Sequence, residues 1–153
     1  MTPSTTVTSV LFVCTGNTCR SPMASALAQK ILTERFGADA PMVRSAGVFT
    51  GGGAPATPEA VDAVERLGAS LEGHRSQALT EDLIAVAGVI YCMTIDHARA
   101  VLAAHPEARG RVHVLDPEGR DIPDPIGGPQ DLYDRTAENI EAMLRARIEE
   151  WLQ

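Results

Sequence analysis

The sequence predicts an α/β fold: a three-layer sandwich whose central four-stranded parallel sheet is covered by helices on both faces. Apolar runs with strand character alternate with longer segments that carry helix-start and helix-stop signals. Such strand–helix alternation is typical of a parallel sheet with helices on both sides. The 153 residues contain no internal repeat and no linker, so we expect one domain over residues 1–153, with residues 1–7 as a flexible N-terminal extension.

The first strand and helix are predicted from the first 37 residues. Residues 8–13 (TSVLFV) favour a buried strand. Ser21 is a suitable helix cap and Pro22 suits the first helical position. The helix is then expected to run to Gly37. Its apolar positions are Met23, Leu27, Ile31, Leu32 and Phe36.

The remaining elements follow in the same alternation. A second strand is predicted at 42–46, and after the glycine-rich loop around 51–53 a helix begins at Thr57-Pro58 and runs to about Leu67. The later elements are a short helix near 80–86, a strand at 88–93, a helix near 96–104, a strand at 111–115 and a last helix from about residue 130. In such sheets ligands bind beyond the carboxyl ends of the strands, and Cys14 lies at one of these ends.

Charge and composition exclude several classes of function. The formal net charge of −7 argues against a general nucleic-acid binder, which needs a basic face. The chain has neither a long uncharged apolar span nor a start typical of a secretory signal, so we expect no membrane association. Three cysteines are an odd number without a disulfide framework, which indicates a reducing cytoplasm. The Cys and His spacings match no zinc site, so we expect no metal. We also expect no cofactor and a monomer.

A turn between Cys14 and Arg20 is the first candidate for chemistry. The predicted strand delivers Cys14, Gly16 and Asn17 permit unusual backbone angles, and a helix begins just after Arg20. The amides of residues 15–19 would converge on one point with the helix dipole behind them, which suits a phosphate. The same surroundings would stabilise a Cys14 thiolate that attacks phosphorus, while the Arg20 fork could hold two phosphoryl oxygens. Alternatively, Cys14 is an ordinary buried strand residue and Arg20 an ordinary surface charge.

Attack by sulfur also requires a general acid for the leaving group. The loop after the fourth predicted strand offers five aspartates, and spacing does not choose among them. They are Asp116, Asp121, Asp124, Asp131 and Asp134. The two Asp-Pro pairs in this loop could equally be turn formers.

Four segments in order resemble the low-molecular-weight protein-tyrosine phosphatase family. They are CTGNTCRSP at 14–22, RSAG at 44–47, GHRS at 73–76 and DPIGG at 124–128. The resemblance implies that Cys14 forms a cysteinyl-phosphate, that Arg20 binds the phosphoryl group and that Asp124 is the general acid. It implies that Ser21 donates to the sulfur, and that Asn17, Ser45 and His74 shape the loop. Cys19 would correspond to a thiol that can form a reversible disulfide with Cys14.

The resemblance determines the substrate less closely than it determines the chemistry. Thr18 stands where tyrosine phosphatases of the family usually carry a bulkier aliphatic residue, and Ile126-Gly127-Gly128 replaces their aromatic walls. Thr18, Phe49 and the DPxGG pattern instead resemble the bacterial protein-arginine phosphatase branch. The predicted phosphate- and substrate-binding residues are Thr15, Gly16, Asn17, Thr18, Cys19, Ser21 and Phe49.

We therefore expect a protein phosphatase whose partners are phosphorylated proteins, with phosphoarginine as substrate or, alternatively, phosphotyrosine. An arsenate reductase would need a further cysteine pair, whereas only Cys92 is present, in a predicted core strand. A phosphate-binding module without turnover would not need Cys14 and Asp124 together. Tyr133 is expected either at the rim of the site or exposed at the start of the last helix.

Overall fold

A four-stranded parallel sheet forms the centre of the computed structural model, which describes residues 4–152. Its strands are β1 (Ser9–Cys14), β2 (Met42–Gly47), β3 (Val89–Cys92) and β4 (Val112–Val114). Their order in the sheet is β2-β1-β3-β4, and every neighbouring pair is parallel. Cys14 is in register with Gly47, so the carboxyl ends of the two strands lie side by side. The predicted fold class is confirmed.

Within residues 4–152, five α-helices connect and cover the strands. They are α1 (Arg20–Phe36), α2 (Pro58–Arg66), α3 (Glu81–Val86), α4 (Ile95–Ala104) and α5 (Gln130–Glu149). Short 3₁₀ turns follow α1 at Gly37–Asp39 and α4 at Pro106–Ala108. Thr57, Thr80 and Thr94 cap α2, α3 and α4 by accepting a hydrogen bond from a backbone N–H of the first turn. For α2, the observed helix start therefore agrees with the start predicted at Thr57-Pro58.

The two faces of β1 belong to two separate cores. Phe12 faces a core built with α1, α2 and α5. Leu11 and Val13 face a smaller core that includes Ile84 of α3 and Val101 of α4. Side chains of a strand alternate between its faces, so a strand that is buried on both sides ties both helix layers to one rigid element. Cys14 is the last residue of β1, so its backbone is held by this rigid strand.

The start of α1 differs from the prediction. Cys19, rather than Ser21, occupies the capping position, and its side chain makes no capping hydrogen bond. Ser21 lies inside the first turn, where its hydroxyl contacts Cys14 Sγ at 2.8 Å. The prediction of Ser21 as a cap was therefore wrong, because this hydroxyl is directed to a group brought near by the turn rather than to its own helix.

The expected N-terminal extension is described only from residue 4. Thr5 forms an isolated antiparallel bridge with Leu152, and Val7 packs against the larger core, so residues 5–7 lie against the domain rather than apart from it. Residues 1–3 lie outside the described residues. Over residues 4–152, the helices include none with the length and apolar character needed to cross a bilayer.

Candidate active site

The loop from Cys14 to Arg20 wraps around the sulfur of Cys14. Cys14 is 2 % exposed, and its Sγ lies 2.8 Å from Ser21 Oγ and 3.3 Å from the backbone N of Asn17, which donates to it. Asn17 adopts a left-handed backbone with φ of 59°, which an asparagine tolerates better than most residues. Gly16, by contrast, does not adopt a left-handed backbone. Donors that point at the sulfur stabilise a negative charge on it.

The side chain of Asn17 fixes the loop from inside. It is fully buried, and its Nδ2 donates to Ser21 Oγ at 2.8 Å and to Ser45 Oγ at 2.9 Å. Its Oδ1 accepts from the backbone N of Gln77 at 2.9 Å. His74 Nε2 lies 2.9 Å from the carbonyl oxygen of Asn17. The predicted loop-shaping residues therefore form one network around Asn17.

Gly47 was not singled out as a site residue, although it belongs to the RSAG segment. A Cβ added there would lie 2.5 Å from the carbonyl oxygen of Thr15 and 3.1 Å from the backbone N of Asn17. The end of β2 thus supports the loop by direct backbone contact. Gln77 was also missed. Its backbone N donates to Asn17 Oδ1 and its Nε2 donates to the carbonyl oxygen of Ser45, both at 2.9 Å, and no sequence pattern marks these contacts.

Arg20 lies on the side of the site that holds Asp124. Its side chain is 7 % exposed; Nη1 donates to the carbonyl oxygen of Ile122 at 2.8 Å, and Nη2 lies 3.5 Å from Asp124 Oδ2. A cavity of about 150 Å³ opens between the loop and Asp124. Its lining residues are Cys14, Thr15, Gly16, Thr18, Cys19, Arg20, Asp124 and Ile126. The cavity therefore brings the predicted nucleophile, phosphate ligand and acid together.

The structure distinguishes among the five aspartates that the sequence left as candidates for the general acid. Asp116 is buried and accepts hydrogen bonds from the Glu118 backbone N and from Arg120, and Asp121 accepts from the backbone N at the start of α4. Asp134 pairs with Gln130 and Arg66. Among the five, Asp124 alone lines the cavity with Cys14.

Cys19 and Tyr133 meet behind the loop. The Tyr133 hydroxyl lies 3.5 Å from Cys19 Sγ, and the Thr57 hydroxyl lies 3.6 Å from the same sulfur. Tyr133 is only 1 % exposed, so both expected placements, at the rim and exposed at the helix start, were wrong. Burial raises the pKa of Tyr133 to about 12, which keeps the hydroxyl protonated. The prediction failed because its position near the start of α5 did not reveal that this helix face packs on the loop.

Cys92 lies away from the cavity, in β3. It is fully buried, and burial raises the pKa of its thiol to about 12. The expectation that Cys92 is a core residue agrees with this position. A thiol in such surroundings is inert at neutral pH.

The rim of the cavity is apolar and exposed. Phe49 is 83 % exposed, and its backbone N donates to the carbonyl oxygen of Thr15 at 3.0 Å. Ile126 is 61 % exposed on the side of Asp124. Thr18 lines the cavity, and its backbone carbonyl accepts from Thr57 N at 3.0 Å. Over residues 4–152, the cluster needed for a metal ion, three His, Cys, Asp or Glu side chains together, does not occur.

Comparison with known proteins agrees with this geometry. The sequence model described as low molecular weight phosphotyrosine protein phosphatase matches residues 9–152. The chain belongs to that family. Its members are enzymes, and the relatives are named protein-arginine-phosphatase as well as protein-tyrosine-phosphatase.

Three relatives illustrate the range of this phosphatase family. A protein-arginine-phosphatase of Bacillus subtilis is 41% identical over 140 residues, which cover 89% of this chain and 91% of the relative. The low molecular weight protein-tyrosine-phosphatase Etp of Escherichia coli is 36% identical over 145 residues, covering 94% and 91%. A solved structure described as YwlE arginine phosphatase, a cysteine-to-serine mutant with phosphorylated active site serine, has a TM-score of 0.84 at 38% identity and covers 93% of this chain and 94% of that chain.

Proposed function

We propose that this chain removes phosphoryl groups from protein side chains, with phosphoarginine as its substrate, through a cysteinyl-phosphate on Cys14. One observation carries the proposal: Cys14, Arg20 and Asp124 line a single cavity of about 150 Å³. This volume suits a phosphoryl group and the first atoms of its leaving group, with the rest of the side chain at the exposed rim. The phosphorylated serine in the YwlE arginine phosphatase structure supports phosphoryl transfer to this loop position.

In the first step the Cys14 thiolate attacks phosphorus. An S–P bond forms while the P–N bond of phosphoarginine, or the P–O bond of phosphotyrosine, breaks. The protonated Asp124 carboxyl gives its proton to the departing nitrogen or oxygen, so arginine leaves as its guanidinium or tyrosine as its neutral phenol, and Asp124 is left as a carboxylate. Loop amides and the Arg20 guanidinium hold the three equatorial oxygens, whose charge they stabilise more strongly than water would.

In the second step water attacks the same phosphorus. The Asp124 carboxylate, left unprotonated by the first step, accepts a proton from this water. An O–P bond forms, the S–P bond breaks, and inorganic phosphate leaves. The Ser21 hydroxyl, 2.8 Å from Cys14 Sγ, stabilises the thiolate as it departs. The enzyme returns to its starting state without a metal or a redox step.

Thr18 and Asp124 support phosphoarginine as the substrate. Thr18, whose side chain carries a polar hydroxyl and a small methyl, lines the cavity. Asp124, with its side chain 42 % exposed, presents a carboxyl group to the incoming side chain. A guanidinium group carries donors that match both a carboxylate and a hydroxyl oxygen. The Bacillus subtilis relative, 41% identical, is named for this activity.

Phosphotyrosine is a second candidate, favoured by the apolar rim. Ile126 lines the cavity and Phe49 is hydrogen-bonded through its backbone to Thr15 of the loop; both side chains are largely exposed and could contact a phenyl ring. The Escherichia coli relative Etp is named as a tyrosine phosphatase. Both candidates share every step above, so they differ in the leaving group alone.

The test is phosphate release from matched phosphoarginine and phosphotyrosine peptides, with Cys14→Ser as the blank. We expect kcat/KM for phosphoarginine to exceed that for phosphotyrosine by at least about tenfold, a difference of about 1.4 kcal/mol in transition-state binding. Thr18→Val keeps the shape and removes the hydroxyl, and we expect it to reduce this preference. A preference for phosphotyrosine would overturn the substrate assignment, and release by Cys14→Ser at the wild-type rate would overturn the mechanism.

We also propose that the chain acts as a monomer in the cytoplasm. Cys14, Cys19 and Cys92 are all free thiols and all buried, which agrees with a reducing compartment. Light scattering coupled to size exclusion would test the monomer, since a dimer would double the mass of 16.2 kDa.

A further inference from the structure

His97 is a buried histidine that contacts the cavity-lining residue Thr15 and has no part in the steps above. It lies in the first turn of α4 and is 6 % exposed. Its backbone N donates to Thr94 Oγ1 at 3.1 Å, which anchors the start of the helix. Its Nε2 lies 2.8 Å from the hydroxyl oxygen of Thr15, the residue next to Cys14. The backbone of His97 is therefore held by its own helix, and its ring contacts the loop through Nε2.

The Thr15 hydroxyl connects this ring to Arg20. Arg20 Nη2 donates to Thr15 Oγ1 at 3.5 Å and lies at the same distance from Asp124 Oδ2. The hydroxyl can accept from the guanidinium while it donates to His97 Nε2. His97, Thr15 and Arg20 thus form a chain that ends on the proposed phosphate ligand. Within residues 4–152, the other ring nitrogen of His97, Nδ1, is buried without a partner.

The charged groups around His97 favour its neutral form. Burial and the nearby Arg20 guanidinium of α1 lower the pKa of His97. Asp96 on its own helix and Asp121 and Asp124 on the loop after β4 act in the opposite direction, but more weakly. A protonated ring would place a second cation beside Arg20 and could no longer accept the Thr15 hydroxyl proton.

We propose that His97 is a positioning residue that holds the Arg20 guanidinium for the phosphoryl group through the Thr15 hydroxyl. This inference rests on the proposed function, because it assigns Arg20 to phosphate binding. Without the His97 contact the Thr15 side chain can rotate away. Arg20 Nη2 would then keep Asp124 as its one neighbour on that side, and the carboxylate would draw it from the phosphoryl oxygens.

A double-mutant cycle tests the connection. His97→Leu removes the ring nitrogens, Thr15→Val removes the hydroxyl, and the third variant carries both. We expect each single variant to weaken binding of inorganic phosphate, measured by calorimetry at pH 7.5, by about tenfold, or about 1.4 kcal/mol. The double variant should lose no more than the larger single loss, because both changes break the same chain. Multiplied losses would overturn the proposal.

The same variants are then compared in turnover. We expect kcat/KM of His97→Leu to fall about tenfold at pH 7.5. The ratio of wild type to variant should approach one as the pH falls through the pKa of His97, which burial and Arg20 place below the usual histidine value of about 6.5. His97→Gln, whose side-chain oxygen can accept the Thr15 proton, should restore most of the loss. His105→Leu, at the other end of α4, is the matched control and should keep wild-type activity.

These readouts separate the two proposals. If wild type binds phosphate but releases none from any peptide, the proposed function fails while the phosphate-binding cycle still decides the role of His97. Unchanged phosphate binding in His97→Leu, or a ratio that does not change with pH, would overturn the inference. Should His97→Leu not fold, His97→Gln is used to ask whether a retained acceptor keeps wild-type phosphate affinity, and a tenfold loss there would count against the proposal.

Discussion

Replacing Gly47 with alanine would test how the end of β2 shapes the loop. The added Cβ would lie 2.5 Å from the Thr15 carbonyl oxygen, whereas real Cβ contacts stay beyond 3.0 Å, so atoms must move apart by about 0.5 Å or more. Gly47 cannot retreat freely, because its N donates to Gln77 and its carbonyl oxygen accepts from Leu79, both at 2.9 Å. The displacement therefore passes to Thr15 and the neighbouring Cys14.

We expect Gly47→Ala to fold but to lose most of its activity. Overpacking of this kind costs about 1–3 kcal/mol, which most domains survive. A misplacement approaching 1 Å at a reacting group lowers the rate by about 100-fold. Steady-state phosphate release gives kcat/KM, and urea denaturation gives the free energy of unfolding.

Gly51→Ala is the matched control, because a Cβ at Gly51 meets nothing within 4 Å and its backbone is not left-handed. This variant should keep the activity and stability of wild type. If Gly47→Ala kept kcat/KM within threefold of wild type, the idea that backbone contact with β2 sets the loop would be refuted. Complete unfolding of Gly47→Ala would refute it as well, since the strain would then be a property of the whole sheet.

Three further changes follow from the site. Asn17→Ala removes three buried hydrogen bonds and places alanine at φ of 59°, so the free energy of unfolding in urea should fall by about 2–4 kcal/mol. Asp124→Asn should lower kcat by about 10²–10⁴-fold with little change in melting temperature, because this carboxylate is exposed and its ion pair with Arg20 is long. His97 has a lowered pKa in the folded state, so the unfolded chain binds more protons below about pH 6.5 and stability should decrease as the pH falls through that range. Urea titrations at several pH values should show a shallower decrease in His97→Gln.

Local signals were sufficient for most of the secondary structure. Strand runs, threonine caps and the Thr57-Pro58 start each act within one turn or one strand, so neighbouring residues determine them. Ser21 shows the limit of such signals. Its hydroxyl would suit a helix cap, yet it lies 2.8 Å from Cys14 Sγ and accepts a hydrogen bond from Asn17 Nδ2 at 2.8 Å. The contacts that Ser21 makes in the folded loop therefore override its local preference for a helix-capping position.

The proposed nucleophile, the proposed phosphate ligand and the loop between them could be predicted from the sequence itself, because Cys14 and Arg20 are joined by one short turn whose residues specify its shape. Choosing Asp124 from five aspartates required the resemblance, and the structure agrees with that choice because Asp124 alone of the five lines the cavity of Cys14. Gly47, Gln77, Tyr133 and His97 are brought to the loop from four other segments. Only the tertiary structure decided their roles, because a backbone approach or a buried hydroxyl leaves no periodic signal in the chain.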